Sequence, residues 1–220
     1  AYAVVGYETA YLMRYYPVEM IAAMLNSVMG VSEKVAYYIK FAEKCGIQVL
    51  PPDINESYSK FTVKGDTIRF GLAAIKNVGV NVVLSIVESR KKKGKFKSLV
   101  DFVDKIDLSS VNKRAVESLI KAGALDSFNI FRSKLLAVYE KLMDGVYSNQ
   151  KRNIDGQISL FALDDSNINL PEIQYPNIKE FNKRSLLFME KEMTGLYISG
   201  HPLDDYKESL KVQTTTTIEN

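Results

Sequence analysis

A short basic turn is the part of this sequence best suited to hold an anion. Lys76, Asn77, Val78 and Gly79 lie inside the segment Leu72–Ile86, LAAIKNVGVNVVLSI, whose apolar residues recur at helical spacing on both sides of the turn. A helix that starts directly after such a turn points its unpaired backbone N–H groups and the positive end of its dipole outward. This arrangement suits a phosphate group, and Lys76 would add a side-chain charge to it.

The elements that must position these residues are two helices joined by a tight turn, the helix-hairpin-helix arrangement. Asn77 stands where such a turn usually has glycine, and asparagine is the other residue that most readily adopts left-handed backbone angles. A weaker copy, VESLIKAGALD, follows at Val116–Asp126, with Gly123 stopping its first helix. The cationic residues around this second copy are Lys113, Arg114 and Lys121. Two such hairpins would bind DNA phosphates without reading bases. The alternative is that both are plain corners between helices.

The basic residues are concentrated around the two hairpins. The net charge is only +3, but residues 63–152 hold 18 Lys and Arg against 9 Asp and Glu, and the rest of the chain is acidic. A basic region between acidic segments suits a polyanion better than a membrane, since no long amphipathic helix with Trp or Phe anchors accompanies it. The densest run is Arg90–Lys95, at the predicted end of the helix that leaves the first hairpin. Lys92 in this run is a candidate DNA contact, whereas the alternative is a solvated helix end.

A linker with an unusual pentapeptide is predicted downstream. Residues 149–177 lose helical periodicity and are rich in Asn, Asp, Gln, Pro and Ser. The pentapeptide QISLF within it consists of Gln157, Ile158, Ser159, Leu160 and Phe161. Two large apolar side chains on a polar tether are typical of a peptide that fills a pocket of a partner protein. The alternative is that the pair folds back on its own domain.

No group of side chains in the sequence predicts catalysis or a metal site. The chain has one cysteine, Cys45, and one histidine, His201, which excludes an internal disulfide and a His/Cys metal cluster. Cys45 lies on an apolar helical stripe, so we expect a small buried side chain there. The acidic pairs Asp164-Asp165 and Asp204-Asp205 lie in predicted loops, with no apolar strand beside them to hold two metal ions. We therefore expect no catalytic residue, metal ligand or cofactor in this chain.

Length and composition are those of one large or two small globular domains. With 220 residues, 46% of them hydrophobic, the chain can bury an ordinary core. No apolar stretch is long enough to span a membrane, and no cleavable leader begins the chain. We therefore expect a cytoplasmic protein.

The sequence predicts a mainly α fold with a small β ribbon around residues 47–70. Helices outside the first hairpin are expected at 7–15, 18–28, 32–46, 98–105, 110–122, 129–147 and 178–193, with Ser32, Ser98 and Ser110 as N-caps. Short apolar or alternating runs predict the ribbon, because they are separated by the turn signals Pro51-Pro52-Asp53 and Lys64-Gly65-Asp66.

Several long blocks of the sequence resemble the alpha subunit of bacterial DNA polymerase III, the C family of replicative polymerases. The blocks are YETAYLMRYYPVEMIAAMLNS at Tyr7–Ser27, VLPPDINES at Val49–Ser57, IRFGLAAIKNVG at Ile68–Gly79, NKRAVESLIKAGALD at Asn112–Asp126 and EKEMTGLYISGHPLDDY at Glu190–Tyr206. The resemblance covers the chain from Ala1 to about Tyr206. It implies four successive parts, which are the end of a fingers domain (1–60), a tandem helix-hairpin-helix DNA-binding domain (61–148), a linker with a clamp-binding motif (149–177) and a helical segment leading to an OB-fold (178–220).

The resemblance also implies partners and roles. Duplex primer-template DNA would be held by the hairpin at residues 76–79, and the pentapeptide would dock on the sliding clamp, the beta subunit, with Leu160 and Phe161 in the clamp pocket and Gln157 as a hydrogen-bonding anchor. Other replisome subunits would bind through domains outside this sequence. The aspartates that hold magnesium in the family belong to a palm domain that these residues do not include, so this part of a DNA-directed DNA polymerase would not polymerise by itself. Where the family usually has lysine after TAYL, this chain has Met13, followed by Arg14.

Two other functions fit parts of the sequence. An interaction module with no role in DNA binding would use the hairpins only as corners. A repair nuclease or ligase would carry the same hairpins in another setting, and only the resemblance of the PPDIN and SGHPL blocks argues against it. DNA affinity that falls steeply between about 50 and 200 mM salt would separate DNA binding from the first alternative.

Overall fold

The computed structural model describes residues 2–154 and 173–206, and it has the mainly α fold that the sequence predicts. The helices are α1 (Tyr2–Tyr15), α2 (Pro17–Ser27), α3 (Ser32–Lys44), α4 (Val80–Lys93), α5 (Leu99–Lys105), α6 (Lys113–Lys121), α7 (Arg132–Ile154) and α8 (Lys183–Thr194). The strands are β1 (Val49–Leu50), β2 (Thr62–Lys64) and β3 (Thr67–Arg69). Single 3₁₀ turns lie at Leu72–Ala74, Asp126–Phe128 and Asp204–Tyr206.

The three strands form one small sheet with β3 in its centre. β2 pairs with β3 in antiparallel orientation through a turn in which Gly65 has a φ of 58°, so the predicted ribbon is confirmed. β1 adds a parallel strand on the other side of β3. The side-chain amide of Asn26 in α2 bonds both the C=O and the N–H of Phe61, at 2.9 and 2.8 Å, and so fixes the sheet to the helices.

One continuous hydrophobic core joins the sheet to helices α2 through α8. Its fully buried members include Ile21 and Leu25 of α2, Ile68 of β3, Ile86 of α4 and Leu119 of α6. Because residues of this core come from both hairpins and from the sheet, the two hairpins are held on one rigid support. α1 packs against α2 and contributes no buried residue.

The start of α6 differs from the sequence prediction. α6 begins at Lys113 because the side chain of Asn112 caps it, accepting the N–H of Ala115 at 2.9 Å. Ser110, the predicted cap, donates instead to the carboxylate of Asp107 at 2.6 Å. Two candidate caps lie close together in the sequence, and the one that reaches the free amide is Asn112.

The bounds of α7 and the start of α8 also differ from the sequence prediction. Asn129 has left-handed backbone angles, with a φ of 56°, so α7 begins at Arg132 instead of at the predicted residue 129. α7 then continues to Ile154, which makes the first six residues of the predicted linker helical. α8 begins at Lys183, five residues later than predicted, because Asn182 caps it.

The ends of α3 and α5 confirm one prediction and contradict two. Ser98 caps α5 as predicted and accepts the N–H of Asp101 at 3.2 Å, but Ser32 is the first helical residue of α3 and its side chain makes no capping bond. The prediction that Cys45 is buried is wrong. α3 ends at Lys44, so Cys45 is the C-cap residue and lies just outside the apolar stripe of the helix.

Candidate nucleic-acid interface

The first hairpin consists of a 3₁₀ turn, a two-residue bend and the start of α4. Leu72 and Ile75 are buried and anchor the turn in the core. Asn77 has a φ of 64°, the left-handed conformation expected of it, while Gly79 is the extended N-cap of α4. Val78, between them, is only 4% exposed, so its side chain anchors the hairpin in the hydrophobic core.

The backbone amides of this hairpin fall into two groups. Those of Lys76 and Val78 donate to the carbonyl oxygens of Met193 and Ile75, at 2.8 and 3.1 Å. Within the described parts of the chain, no hydrogen-bond partner is found for the amides of Asn77, Gly79, Val80, Asn81 and Val82. The N-cap residue of α4 has no side chain that could satisfy them. The start of this helix of 14 residues therefore presents unpaired N–H groups and a positive dipole end beside the exposed Lys76.

The second hairpin has the same outline and a different hydrogen-bond pattern. Gly123 supplies the left-handed residue, with a φ of 79°, and is buried. The amides of Ala122, Gly123 and Ala124 donate to carbonyl oxygens of α6 at 2.9 to 3.0 Å. A 3₁₀ turn then separates this bend from α7, so no helix starts directly behind it.

A side-chain hydrogen bond joins the two hairpins. The amide nitrogen Nδ2 of Asn77 donates to Oγ of Ser118 at 3.1 Å, and Ser118 is buried in α6. Residues 41 positions apart in the chain thus lie side by side. The sequence predicted the conformation of Asn77 and did not predict this contact.

Comparison with known proteins agrees with the presence of helix-hairpin-helix elements in this chain. A family model described as helix-hairpin-helix motif matches residues 46–135. The chain is 42% identical over 221 residues to DNA polymerase III subunit alpha of Mycobacterium tuberculosis, in an alignment that covers 99% of this chain and 19% of that protein. It is 43% identical to the protein of that name from Thermus aquaticus, covering 98% of this chain and 17% of that one, and 39% identical to that from Borreliella burgdorferi, covering 96% and 18%.

This chain belongs to the DNA polymerase III alpha family. It spans less than one fifth of the length of the curated relatives it matches. The resemblance stated from the sequence motifs is thereby confirmed for the segment that this chain represents.

In this segment of an alpha-family protein, the residues of the basic run Arg90–Lys95 at the end of α4 do not all have the same role. Arg90 is 9% exposed, and its Nη1 donates to the carbonyl oxygens of Ile54 and Ser57 at 2.8 and 3.0 Å, so it is part of the interior. Lys93 donates to a backbone carbonyl of α5 at 2.9 Å. Lys92 is exposed and forms a surface ion pair with Glu88 at 2.7 Å. With a rise of about 1.5 Å per residue, Lys92 lies roughly 20 Å along α4 from the first hairpin.

The cations around the second hairpin are spread along α6. Lys113 and Arg114 lie at its start, and Lys121 at its end. Lys113 pairs with Asp144 at 2.6 Å and Lys121 pairs with Glu117 at 2.7 Å. Such partly exposed pairs contribute little energy, so they leave these lysines able to exchange partners.

Sequence reasoning missed Glu190, the most buried charged residue in the part of the chain that the structure describes. This carboxylate of α8 is 1% exposed and forms an ion pair with Arg132 at 3.0 Å. It also accepts the N–H groups of Ile198 and Ser199, at 3.1 and 2.9 Å. A signal was present, since Glu190 stands at helical spacing between Leu187 and Met193 on the apolar face of α8.

Burial opposes the charge of Arg132, but the carboxylates of Asp126 and Glu190 outweigh that effect, so the pKa of its guanidinium is raised. Asp126 receives two bonds from Arg132, at 2.9 and 2.6 Å. The three charges form one network, which ties α8 to the base of the second hairpin. Met193, three residues beyond Glu190, ties the same helix to the first hairpin through its carbonyl oxygen.

The predicted pentapeptide Gln157–Phe161 lies outside the residues that the structure describes. Across residues 2–154 and 173–206, no three His, Cys, Asp or Glu side chains are placed so that they could hold a metal ion. In the same residues, no helix combines the length and apolar character that crossing a membrane requires.

Proposed function

We propose that this chain is the part of a replicative DNA polymerase that grips duplex DNA behind the active site. The observation that carries this proposal is the start of α4, where unpaired amides and a positive dipole end lie beside the exposed Lys76. The contacts are made to phosphate, so the grip does not depend on base sequence. Lys92, Lys113 and Arg114 add positive charge at a distance and steer the duplex toward the hairpin.

Binding of labelled primer-template duplex, measured by fluorescence anisotropy between 50 and 200 mM salt, tests this proposal. Affinity should fall linearly on a log–log plot, and Lys76→Ala should weaken binding to every sequence alike and reduce the magnitude of the slope by about 1. Lys40→Ala, an exposed lysine on α3, removes the same charge away from the hairpin and should leave the slope unchanged. No binding of the unaltered chain at 50 mM salt would refute the proposal.

We propose further that Gln157–Phe161 docks the polymerase on its sliding clamp. The support is the sequence, in which Gln157, Leu160 and Phe161 have the spacing of a tethered peptide with two apolar anchors. Linking a weak DNA contact to a weak clamp contact raises the effective concentration of each and keeps the polymerase on its primer.

Surface plasmon resonance with an immobilised beta clamp tests the docking proposal. Leu160→Ala combined with Phe161→Ala should abolish binding, while Ile158→Ala, at the spacer position, should change it little. If the double variant binds as tightly as the unaltered chain, the pentapeptide is not the docking peptide.

The whole enzyme, in this proposal, is a DNA-directed DNA polymerase of the bacterial cytoplasm, and its nucleotidyl transfer uses magnesium in a palm domain that these 220 residues do not include. The chain alone should therefore extend no primer. Primer extension by the chain in the presence of magnesium and all four nucleotides would contradict this assignment.

A further inference from the structure

The start of α7 already holds an anion that comes from the chain itself. The carboxylate of Glu180 accepts the N–H of Arg132 at 2.7 Å through Oε2 and the N–H of Ser133 at 3.1 Å through Oε1. Oε1 also accepts the N–H of Phe181 at 2.8 Å. The amides of Arg132 and Ser133 are the first two of α7. A phosphate bound at the start of a helix would accept hydrogen bonds from the same groups.

The bend of the second hairpin is occupied as well. The guanidinium of Arg132 fills the space next to Gly123, and its Nη1 donates to the carbonyl oxygen of Lys121 at 3.3 Å. Together with the internal bonds of the amides at 122, 123 and 124, this leaves the bend no place for a phosphate oxygen. The acidic side chain of Asp126, half exposed beside it, would also repel one.

We infer that Glu180 takes the anion position at the start of α7, the helix that follows the second hairpin, so that duplex DNA is held through the first hairpin alone. The second hairpin then serves as a support, which orients the first through the bond between Asn77 and Ser118. This inference rests on the proposed DNA-binding function and assigns different roles to its two copies. The same carboxylate that mimics phosphate also connects the segment 173–182 to α7.

The pKa of Glu180 agrees with this geometry. Burial raises it, but the amides of Phe181, Ser133 and Arg132 outweigh burial, so the pKa lies below its ordinary value. The carboxylate is therefore charged at neutral pH, as a substitute for phosphate must be.

Two equivalent lysines give a matched test. Lys76 and Lys121 each follow an isoleucine at the bend of their hairpin. In the anisotropy titration with the whole chain, Lys76→Ala should weaken duplex binding at 50 mM salt by threefold or more. Lys121→Ala should stay within twofold of the unaltered chain. Equal loss in both variants would overturn the inference, whereas absence of binding by the unaltered chain would refute the proposed function itself.

Removal of the internal anion gives a second test. Glu180→Ala frees the amides of Arg132 and Ser133 at the start of α7, which a 3₁₀ turn separates from the filled bend. An additional phosphate contact at these amides should make the salt dependence steeper by about 0.9. Circular dichroism establishes that the variant is folded before its slope is compared. An unchanged slope in the folded variant would contradict the inferred role of Glu180.

Discussion

The side chain of Asn77 donates a hydrogen bond to the hydroxyl of Ser118, with an N···O distance of 3.1 Å, and so joins the first hairpin to the helix that leads into the second. Asn77 also has a φ of 64°, which few residues other than glycine and asparagine adopt. One residue therefore satisfies a backbone requirement and a tertiary contact at the same position.

Substitutions of Asn77 separate these two roles. Asn77→Gly keeps the backbone conformation and loses the hydrogen bond, and should lower the free energy of unfolding by about 1 kcal/mol. Asn77→Val loses the bond and strains the backbone, and should cost about 1–2 kcal/mol more. Urea unfolding measures both. In a double-mutant cycle with Ser118→Ala, the coupling energy should be clearly above zero, and strict additivity would show that the bond contributes nothing.

The buried pair of Arg132 and Glu190 should respond asymmetrically to substitution. Arg132→Met leaves the carboxylate of Glu190, 1% exposed, without its cation and should cost about 3–5 kcal/mol. The double variant Arg132→Met with Glu190→Met should cost less than the single one, because no unpaired charge stays buried. Guanidinium unfolding curves compare the two. If the double variant is the less stable, the pair stabilises the fold beyond satisfying its own charges.

Glu180 should contribute to the acid sensitivity of the chain. Its pKa in the folded state is below the ordinary value of 4.5. A group of this kind contributes stability that is fully present above pH 4.5 and is lost as pH falls through the folded pKa. The difference in unfolding midpoint between the unaltered chain and Glu180→Gln should therefore shrink as pH falls below 4.5. It should persist at 0.5 M salt, because the partners of Glu180 are fixed backbone amides and not mobile charged side chains. A difference independent of pH would contradict this account.

Two glycines offer a matched comparison of backbone effects. Gly123 has a φ of 79°, and a Cβ there would collide with the guanidinium of Arg132, so Gly123→Ala should cost more than about 2 kcal/mol. Gly145 lies in α7 with open space around it, so Gly145→Ala should gain up to about 1 kcal/mol. Thermal unfolding should move the two midpoints in opposite directions. A shift in the same direction would show that the bend at Gly123 can relax.

Arg90 and Lys91 are neighbours in the basic run with different expected effects. Arg90→Met removes two hydrogen bonds to backbone carbonyls and the contact of its guanidinium with the Tyr58 ring, 5.0 Å away. The free energy of unfolding should fall by about 2–3 kcal/mol, as expected for buried bonds from a charged donor. Lys91→Ala, at an exposed position, should change it by less than about 0.5 kcal/mol. Comparable losses in both variants would mean that the charge of the run, and not the buried contacts, stabilises α4.

What the sequence determined by itself is mostly local. The left-handed conformation of Asn77, the cap at Ser98 and the stop at Gly123 could be predicted because each depends on the allowed angles or the reach of one side chain over a few residues. The mainly α fold follows from helical periodicity in the same way. The predicted start of a helix was wrong where two candidate N-caps lie close together, as at Ser110 and Asn112.

Only the tertiary structure decided which copy of the hairpin keeps its amides available. The amides of the second bend are closed locally by carbonyl oxygens of α6. Long-range contacts do the rest, since Glu180 accepts the first amide of α7 and Glu190 holds the guanidinium that fills the bend, 48 and 58 positions from Arg132 in the sequence. Neither acidic residue differs in type from the other acidic residues of the chain, so no local pattern singles out its partner. Glu180 is held by backbone N–H groups and Glu190 by a buried ion pair with Arg132, and both contacts form only after distant segments have packed together.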